Sequence, residues 1–278
     1  MGYPMAEHLL AHQSIAVYNR TQAKADPLVA KGAYLTNSPR ETAEVSEIIF
    51  IMVSDDKALT DVMRGPNGVL SGLKTGTVIV DHSTVSVQLT RQLASEAREK
   101  GADWCDAPVT GGDIGARNAT LTIMVGASDN SFERIRPYLE RMGKHVVKVG
   151  PTGQGQALKV ISNMVSALNL MAAAEGIRLG LAAGLTLDAL DDVMTHGSAQ
   201  SFEVTKMADR MRRHDFQPGF SVANRLKDLR LALDLAAALE YQAPLGASGK
   251  ELFGAHAARG FDSLDESSYV LRWPAIDD

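Results

Sequence analysis

The chain has a single cysteine, Cys105, among 278 residues, which excludes an intrachain disulfide and suits a reducing compartment. Cys105 itself reads as a small residue in a strand. No stretch alternates Lys and Arg with aromatics, and the net charge of -5 is mild. Neither nucleic acid nor an anionic membrane is therefore an expected partner. Long apolar runs are scarce: 48–53 is far too short to cross a bilayer, and 160–187 is interrupted by Glu175, Arg178 and several glycines. The start, Met1-Gly2-Tyr3-Pro4-Met5, lacks the basic residues and apolar block of a secretory signal. A cytoplasmic protein is the expectation. No His, Cys, Asp and Glu cluster has metal-ligand spacing, so no metal is called for.

What is present describes a globular protein. Hydrophobic residues make up 45% and charged residues 22%, enough to fill a core, and the length suits two domains. Up to about Gly150, short β-rich segments alternate with amphipathic ones, the pattern of βαβ units on a mostly parallel sheet. Strands are expected at 15–19, 48–53, 78–81, 102–107, 121–125 and 145–149, with helices at 3–12, 87–100 and 131–142. After Gly150 the strands stop. Residues 157–181 read as one long helix, apolar on nearly every side, as expected of a helix buried between domains or subunits. The expected boundaries are 1–151 for an α/β domain and 152–278 for an all-helical one. The tail from Trp273 to Asp278 reads as an ordinary frayed end.

Lys159 and Asn163 stand four residues apart on that apolar helix and so share a face. An uncompensated buried ammonium costs several kcal/mol, roughly, so Lys159 either reaches water from the first turns or serves a ligand. The preceding Gly150-Pro151-Thr152-Gly153-Gln154-Gly155 is a flexible entry that lets a ligand approach the helix N-terminus. A second feature is Asp106-Ala107-Pro108-Val109-Thr110-Gly111-Gly112, where a strand meets a turn with a hydroxyl and two glycines. Such a turn serves either as simple punctuation or as an anion-binding nest of backbone amides.

Together these segments resemble the β-hydroxyacid dehydrogenase family, the relatives of 3-hydroxyisobutyrate dehydrogenase. The 106–112 segment is similar to the family's substrate-binding signature, with Thr110 where many members have serine. Gly153-Gln154-Gly155 with Lys159 and Asn163 is similar to its catalytic signature. Lys227-Asp228-Leu229-Arg230 resembles a motif near the start of a late helix, and Asp81-His82-Ser83-Thr84 the end of a nicotinamide-side strand. The resemblance implies an oxidoreductase moving a hydride between NADP or NAD and a small 3-hydroxy acid. Lys159 is then the catalytic acid and base; Thr110, Gly111, Gly112 and Asn163 bind substrate; Val53, Ser54, Thr84 and Lys227 serve the cofactor. His82 is expected to be structural, since neighbours on a strand point to opposite faces. A reductase of glyoxylate, succinic semialdehyde or tartronate semialdehyde is the alternative within the class, and a non-catalytic binding or assembly module the alternative outside it. A homodimer or homotetramer is expected from the apolar helix.

The family begins with a strand and a Gly-x-Gly-x-x-Gly turn, of which only the last glycine, Gly2, finds a place here, so Met1 and Gly2 are the cofactor-binding remnant. Roughly ten residues, about one strand and the start of its turn, are missing relative to that pattern. The expected fold is thus a doubly wound Rossmann-type parallel sheet lacking its first strand, followed by the all-helical domain; a late start codon or truncation is the expected reason. The segment Asn19-Arg20-Thr21 follows the 15–19 strand with no acid at its tip. An acid there bonds a ribose 2′-hydroxyl and an arginine accommodates a 2′-phosphate, so a chain with its first strand in place is expected to prefer NADP.

Overall fold

The computed structural model describes residues 1–274; of the tail expected to fray from Trp273, Trp273 instead packs edge-on against Tyr269 at 5.9 Å, and 275–278 lie outside the described residues. Among the described residues there are eight strands: β1 (Ala16–Val17), β2 (Tyr34–Leu35), β3 (Ile48–Ile51), β4 (Val78–Asp81), β5 (Asp103–Asp106), β6 (Val109–Thr110), β7 (Leu121–Gly126) and β8 (Gly143–Gly150). β1 and β2 pair in parallel as a separate two-stranded sheet. The other six form one sheet in the order β3-β4-β5-β7-β6, with β8 paired to β7. β3, β4 and β5 run parallel, β7 runs antiparallel to β5 and β6, and β8 runs parallel to β7. No described strand joins β1 to β3, and the separation falls where the first strand of the doubly wound pattern was expected.

The pairing explains what the pattern of apolar residues missed. β1 is shorter than the expected 15–19, because only Ala16 and Val17 find ladder partners. β5 and β6 both lie along β7 and are interrupted at Ala107-Pro108, where proline has no amide to donate. After that break Thr110, at the end of β6, is in register with Thr122 of β7.

The first compact unit, Met1–Lys159, has a layer of side chains on each face of the sheet. Val78, Val80, Cys105, Leu121, Ile123 and Val125 pack with Met5, Leu9, Ile135 and Leu139 on one side. Ile49, Ile51, Ile79 and Trp104 pack with Leu59, Met63, Leu93 and Ala97 on the other. All four residues of β4 are buried, as a strand covered on both faces requires. Each such large side chain contributes about 1.5–3 kcal/mol when fully buried. Helices start where the sequence offers an oxygen: Asp55, Ser86 and Ser128 each accept an amide from the first turn of the helix they precede. Burial pushes the Cys105 thiol up to about 12, which leaves it an inert core residue.

The second unit, Val160–Asp278, contains helices Leu187–His196, Phe202–Arg213, Val222–Ala238 and Pro244–His256. Ala167, Leu170, Ala174 and Ile177 meet Met207, Leu226, Leu229, Phe253 and Tyr269 in its core. A buried ionic cluster ties the last segment down: Arg225 bonds Glu266, and Lys206 reaches Glu266 at 2.6 Å and Asp265 at 3.4 Å. Paired this way the charges are tolerated inside; removing one partner leaves an expensive buried charge.

The helix Gln154–Ala182 runs from the first unit into the second. The division falls between Lys159 and Val160, inside the helix, whereas the sequence pattern changes near Pro151. By length and composition alone this helix is apolar enough to cross a membrane, and 44% of its apolar window is buried inside the protein. Lys159 and Asn163 lie among its buried residues.

Candidate active site

In the first unit, one row crosses the carboxyl ends of the central strands. Ile51 is in register with Asp81, Asp81 with Asp106, and Asp106 with Gly126. In open α/β sheets, ligands sit beyond such strand ends. The expected site residues Val53, Ser54 and Thr84 follow β3 and β4 directly.

Asp106 is fully buried and holds the start of the long helix. One carboxylate oxygen accepts the Gly153 amide at 2.6 Å and the other the Gln156 amide at 2.8 Å. These amides have no partner within the helix, and a negative charge there is favoured by the helix dipole. The approach is close enough to demand glycine. A Cβ at Gly126 would stand 2.6 Å from an Asp106 carboxylate oxygen, and one at Gly155 would stand 2.8 Å from the other.

Gln156, also fully buried, reaches the end of β4. Its Nε2 donates to the Ser83 carbonyl at 2.7 Å, and its Oε1 accepts the Val85 amide at 3.3 Å. The Ser83 hydroxyl accepts the Val53 amide at 3.0 Å, and the Ser83 amide donates to Asp81 at 3.0 Å. Three segments are thereby joined: the end of β3, the end of β4, and the helix turn that precedes Lys159. Lys159 itself is 7% exposed.

Asp81 and Asp106 stand side by side on neighbouring strands. Burial pushes the Asp81 carboxyl up to about 7, against its bonds from Ser83, and the Asp106 charge adds to the rise. Burial likewise raises Asp106 to about 6, opposed by the helix amides. The folded chain therefore holds protons that the unfolded chain releases above the ordinary aspartate range near 3.8. Stability falls as pH rises from that value through about 7, and the full penalty is present above it. Asp81→Asn keeps the acceptor for Ser83 and removes the charge. It is expected to raise the melting temperature by roughly 3–6 °C near pH 8 and by much less near pH 5. Equal effects in thermal scans at the two pH values would contradict this.

His82 takes the structural place expected of it. Its Nδ1 donates to the Ala107 carbonyl at 2.6 Å and its ring stacks on Phe50 at 5.8 Å. Burial lowers its pKa to about 4, so it stays neutral.

Thr110, Gly111 and Gly112 are exposed at the end of β6. Gly111 has φ of 125° and Gly112 of 63°, a region that side chains rarely adopt, so glycine is favoured at both positions. Asn19, Arg20 and Thr21 are exposed beyond β1, with Asn19 Nδ2 donating to the Thr21 carbonyl at 2.7 Å. Met1 caps the helix Gly2–Leu10, whose first turn carries no acid. A Cβ on Gly2 would lie 3.4 Å from the Met52 Cβ, which places the start of that helix beside Val53. These features fit a dinucleotide: an acid-free helix start at the strand ends for phosphate, and a cation with neutral donors beyond β1.

In the second unit, Asn163 is 9% exposed and its Nδ2 donates to Asp228 at 2.6 Å, while its backbone carbonyl accepts from Arg225 at 2.8 Å. Lys227 pairs with Asp228 at 3.2 Å. The sequence reading singled out Lys227 and Asn163 but not Asp228, the residue that joins them. Asp106 and Ser83 stand in motifs named from the sequence, but what they and Gln156 hold together appears only in the structure. Gln156 did carry a signal, being a polar residue three positions before Lys159 on an apolar helix. Among the described residues no group of three or more His, Cys, Asp or Glu side chains is placed to hold a metal ion.

Comparison with known proteins covers nearly the whole chain. The family model for the NAD binding domain of 6-phosphogluconate dehydrogenase matches residues 1–150. A second, described as the NAD-binding of NADP-dependent 3-hydroxyisobutyrate dehydrogenase, matches residues 153–273. The chain is 38% identical to 2-(hydroxymethyl)glutarate dehydrogenase of Eubacterium barkeri, over 98% of this chain and 91% of that protein. It is also 38% identical to 2-hydroxy-3-oxopropionate reductase of Escherichia coli, over 97% and 92%. The solved structure of Mycobacterium tuberculosis 3-hydroxyisobutyrate dehydrogenase with L-serine superposes with a TM-score of 0.91 at 32% identity. That alignment covers 99% of this chain and 96% of the other.

Proposed function

Because the chain belongs to the β-hydroxyacid dehydrogenase family and is an NAD(P)-dependent hydroxyacid dehydrogenase, we propose that it oxidises a small 3-hydroxy acid of the 3-hydroxyisobutyrate type. The observation that carries this reading is Lys159, buried on a helix whose first turn is bonded to the ends of β4 and β5. A proton acceptor fixed beside the strand ends is what alcohol oxidation needs. When bound, the dinucleotide supplies the hydride acceptor.

In this reading Lys159 Nζ takes the hydroxyl proton during oxidation and returns it during reduction. Thr110, with the Gly111 and Gly112 amides, holds the carboxylate through neutral donors. Asn163 positions the substrate, its amide oriented by the bond to Asp228. Val53, Ser54 and Thr84 line the nicotinamide and its ribose; Met1 and Gly2 border the phosphates; Lys227 reaches cofactor or substrate. Asn19, Arg20 and Thr21 read the adenosine ribose and favour NADP over NAD. The dinucleotide-binding part is taken as 1–151 and the helical substrate and oligomerisation part as 152–278.

Relatives named for 2-(hydroxymethyl)glutarate and 2-hydroxy-3-oxopropionate support a small carboxylate as substrate. Reduction of glyoxylate, succinic semialdehyde or tartronate semialdehyde is the second reading, favoured by the reductase among those relatives. A cytoplasmic homodimer or homotetramer accords with the apolar side chains of Ile161, Val165 and Leu179, which are 46%, 49% and 70% exposed on the long helix; sedimentation velocity checks it.

A panel of 3-hydroxy acids and the three semialdehyde or glyoxylate substrates, each assayed with NADP and NAD, tests the proposal. The highest kcat/KM is expected with 3-hydroxyisobutyrate or a close three- or four-carbon analogue. Turnover confined to acids lacking a 3-hydroxyl or 3-oxo group would overturn it.

A further inference from the structure

We propose that Gln156 is a positioning residue that sets the placement of Lys159 against the cofactor-side segment Ser83-Thr84-Val85. The inference rests on the reading of Lys159 as the acid and base. A fully buried amide side chain has to be satisfied from within the protein, and Gln156 is satisfied by one short piece of backbone. It donates to Ser83 O at 2.7 Å and accepts from Val85 N at 3.3 Å. It therefore spans both sides of Thr84, as a paired strand would. Its own backbone amide is held by Asp106 at 2.8 Å. The same residue is thus fixed at its main chain to β5 and at its side chain to the end of β4.

The lever is short. Lys159 follows three positions later, on the same side of the helix. Ser83 in turn accepts the Val53 amide at 3.0 Å, so the end of β3 is held in the same network. A rotation or slide of the helix start relative to Thr84 breaks the Gln156 bonds before it moves the helix far. Misplacing a catalytic group by about 1 Å costs on the order of 10²-fold in rate. The Gln156 side chain resists such a misplacement relative to the end of β4, as the Asp106 carboxylate does relative to β5.

Gln156→Met keeps the length and removes both bonds. The expected result is a kcat lower by about 10- to 100-fold, with the acid's KM and the Kd for NADP each changed by less than about 3-fold. Faster hydrogen exchange at the Val85 and Gln156 amides is expected alongside, as a readout independent of turnover. The decisive arm is the double mutant. In a Lys159→Ala background the same substitution is expected to alter kcat by less than about 2-fold, because the residue acts through Lys159. An equal loss in both backgrounds, or a wild-type kcat in folded Gln156→Met, overturns the proposal. Gln156→Glu keeps the acceptor for Val85 and serves if the methionine variant fails to fold; a wild-type kcat there overturns the proposal, and a loss that vanishes in the Lys159→Ala background supports it. Near-wild-type turnover by Lys159→Ala alone refutes the reading of Lys159 instead, and so separates the two failures.

Discussion

Replacing Lys159 by alanine is expected to lower kcat by about 10²- to 10⁴-fold while the protein stays folded, the range for losing a positioned acid or base. The residue is 7% exposed on a helix held by the Asp106 carboxylate and the Gln156 side chain. In that place water is a poor substitute as proton acceptor, so the loss falls on the chemical step. Substrate binding relies on the Thr110 loop in the proposed reading, so KM is expected to change far less than kcat. Steady-state kinetics with circular dichroism on the same samples checks both parts. A folded variant with near-wild-type turnover removes Lys159 from the mechanism.

Arg20→Asp is expected to move the ratio of kcat/KM for NADP over NAD by about 10²-fold toward NAD. Arg20 is exposed immediately beyond β1, between Asn19 and Thr21. In the proposed reading its guanidinium forks onto 2′-phosphate oxygens, and charge-assisted bonds of this kind contribute about 1.5–3 kcal/mol each. An aspartate in its place accepts from a ribose 2′-hydroxyl and repels a 2′-phosphate, so the substitution acts on both cofactors in opposite directions. The Asn19 bond to the Thr21 carbonyl keeps the turn shaped whichever residue stands between them. Measured kcat/KM values for both cofactors, in wild type and variant, decide the matter. An NAD preference in the wild type, or no shift in the variant, contradicts the role given to this turn.

The sequence revealed the fold through two periods. Alternating β-rich and amphipathic segments up to Gly150 gave the parallel sheet, since β4 reads Val78-Ile79-Val80-Asp81 and is buried on both faces. The change to a purely helical pattern gave the second part. Short strands escaped notice because their signal is weak: β2 is two residues, and β6 is held by β7 beyond a proline break. Such elements are set by neighbours distant in sequence, which a local pattern does not contain.

The chemistry-bearing side chains were legible where a polar residue interrupts an apolar helix, as Lys159 and Asn163 do. Their supports were not. Asp106 holds the start of the long helix through a bond to Gly153, 47 residues later, and Gln156 answers to Ser83 from 73 residues away. Nothing at either position announces its partner; the sheet register brings them together. Asp228 lay in a motif already noted, yet its bond to Asn163 depends on how two helices pack. Sequence spacing identifies groups that do chemistry more readily than groups that hold them still.

The most direct test of the account follows the hydrogen itself. The enzyme is incubated with NADP and 3-hydroxyisobutyrate deuterated at the hydroxyl-bearing carbon, and the recovered cofactor is examined by NMR. The account predicts deuterium on one face of C4 of the reduced nicotinamide, in amount equal to the semialdehyde formed, with the transfer slowed in Lys159→Ala. Semialdehyde formed without deuterium on the nicotinamide would contradict it.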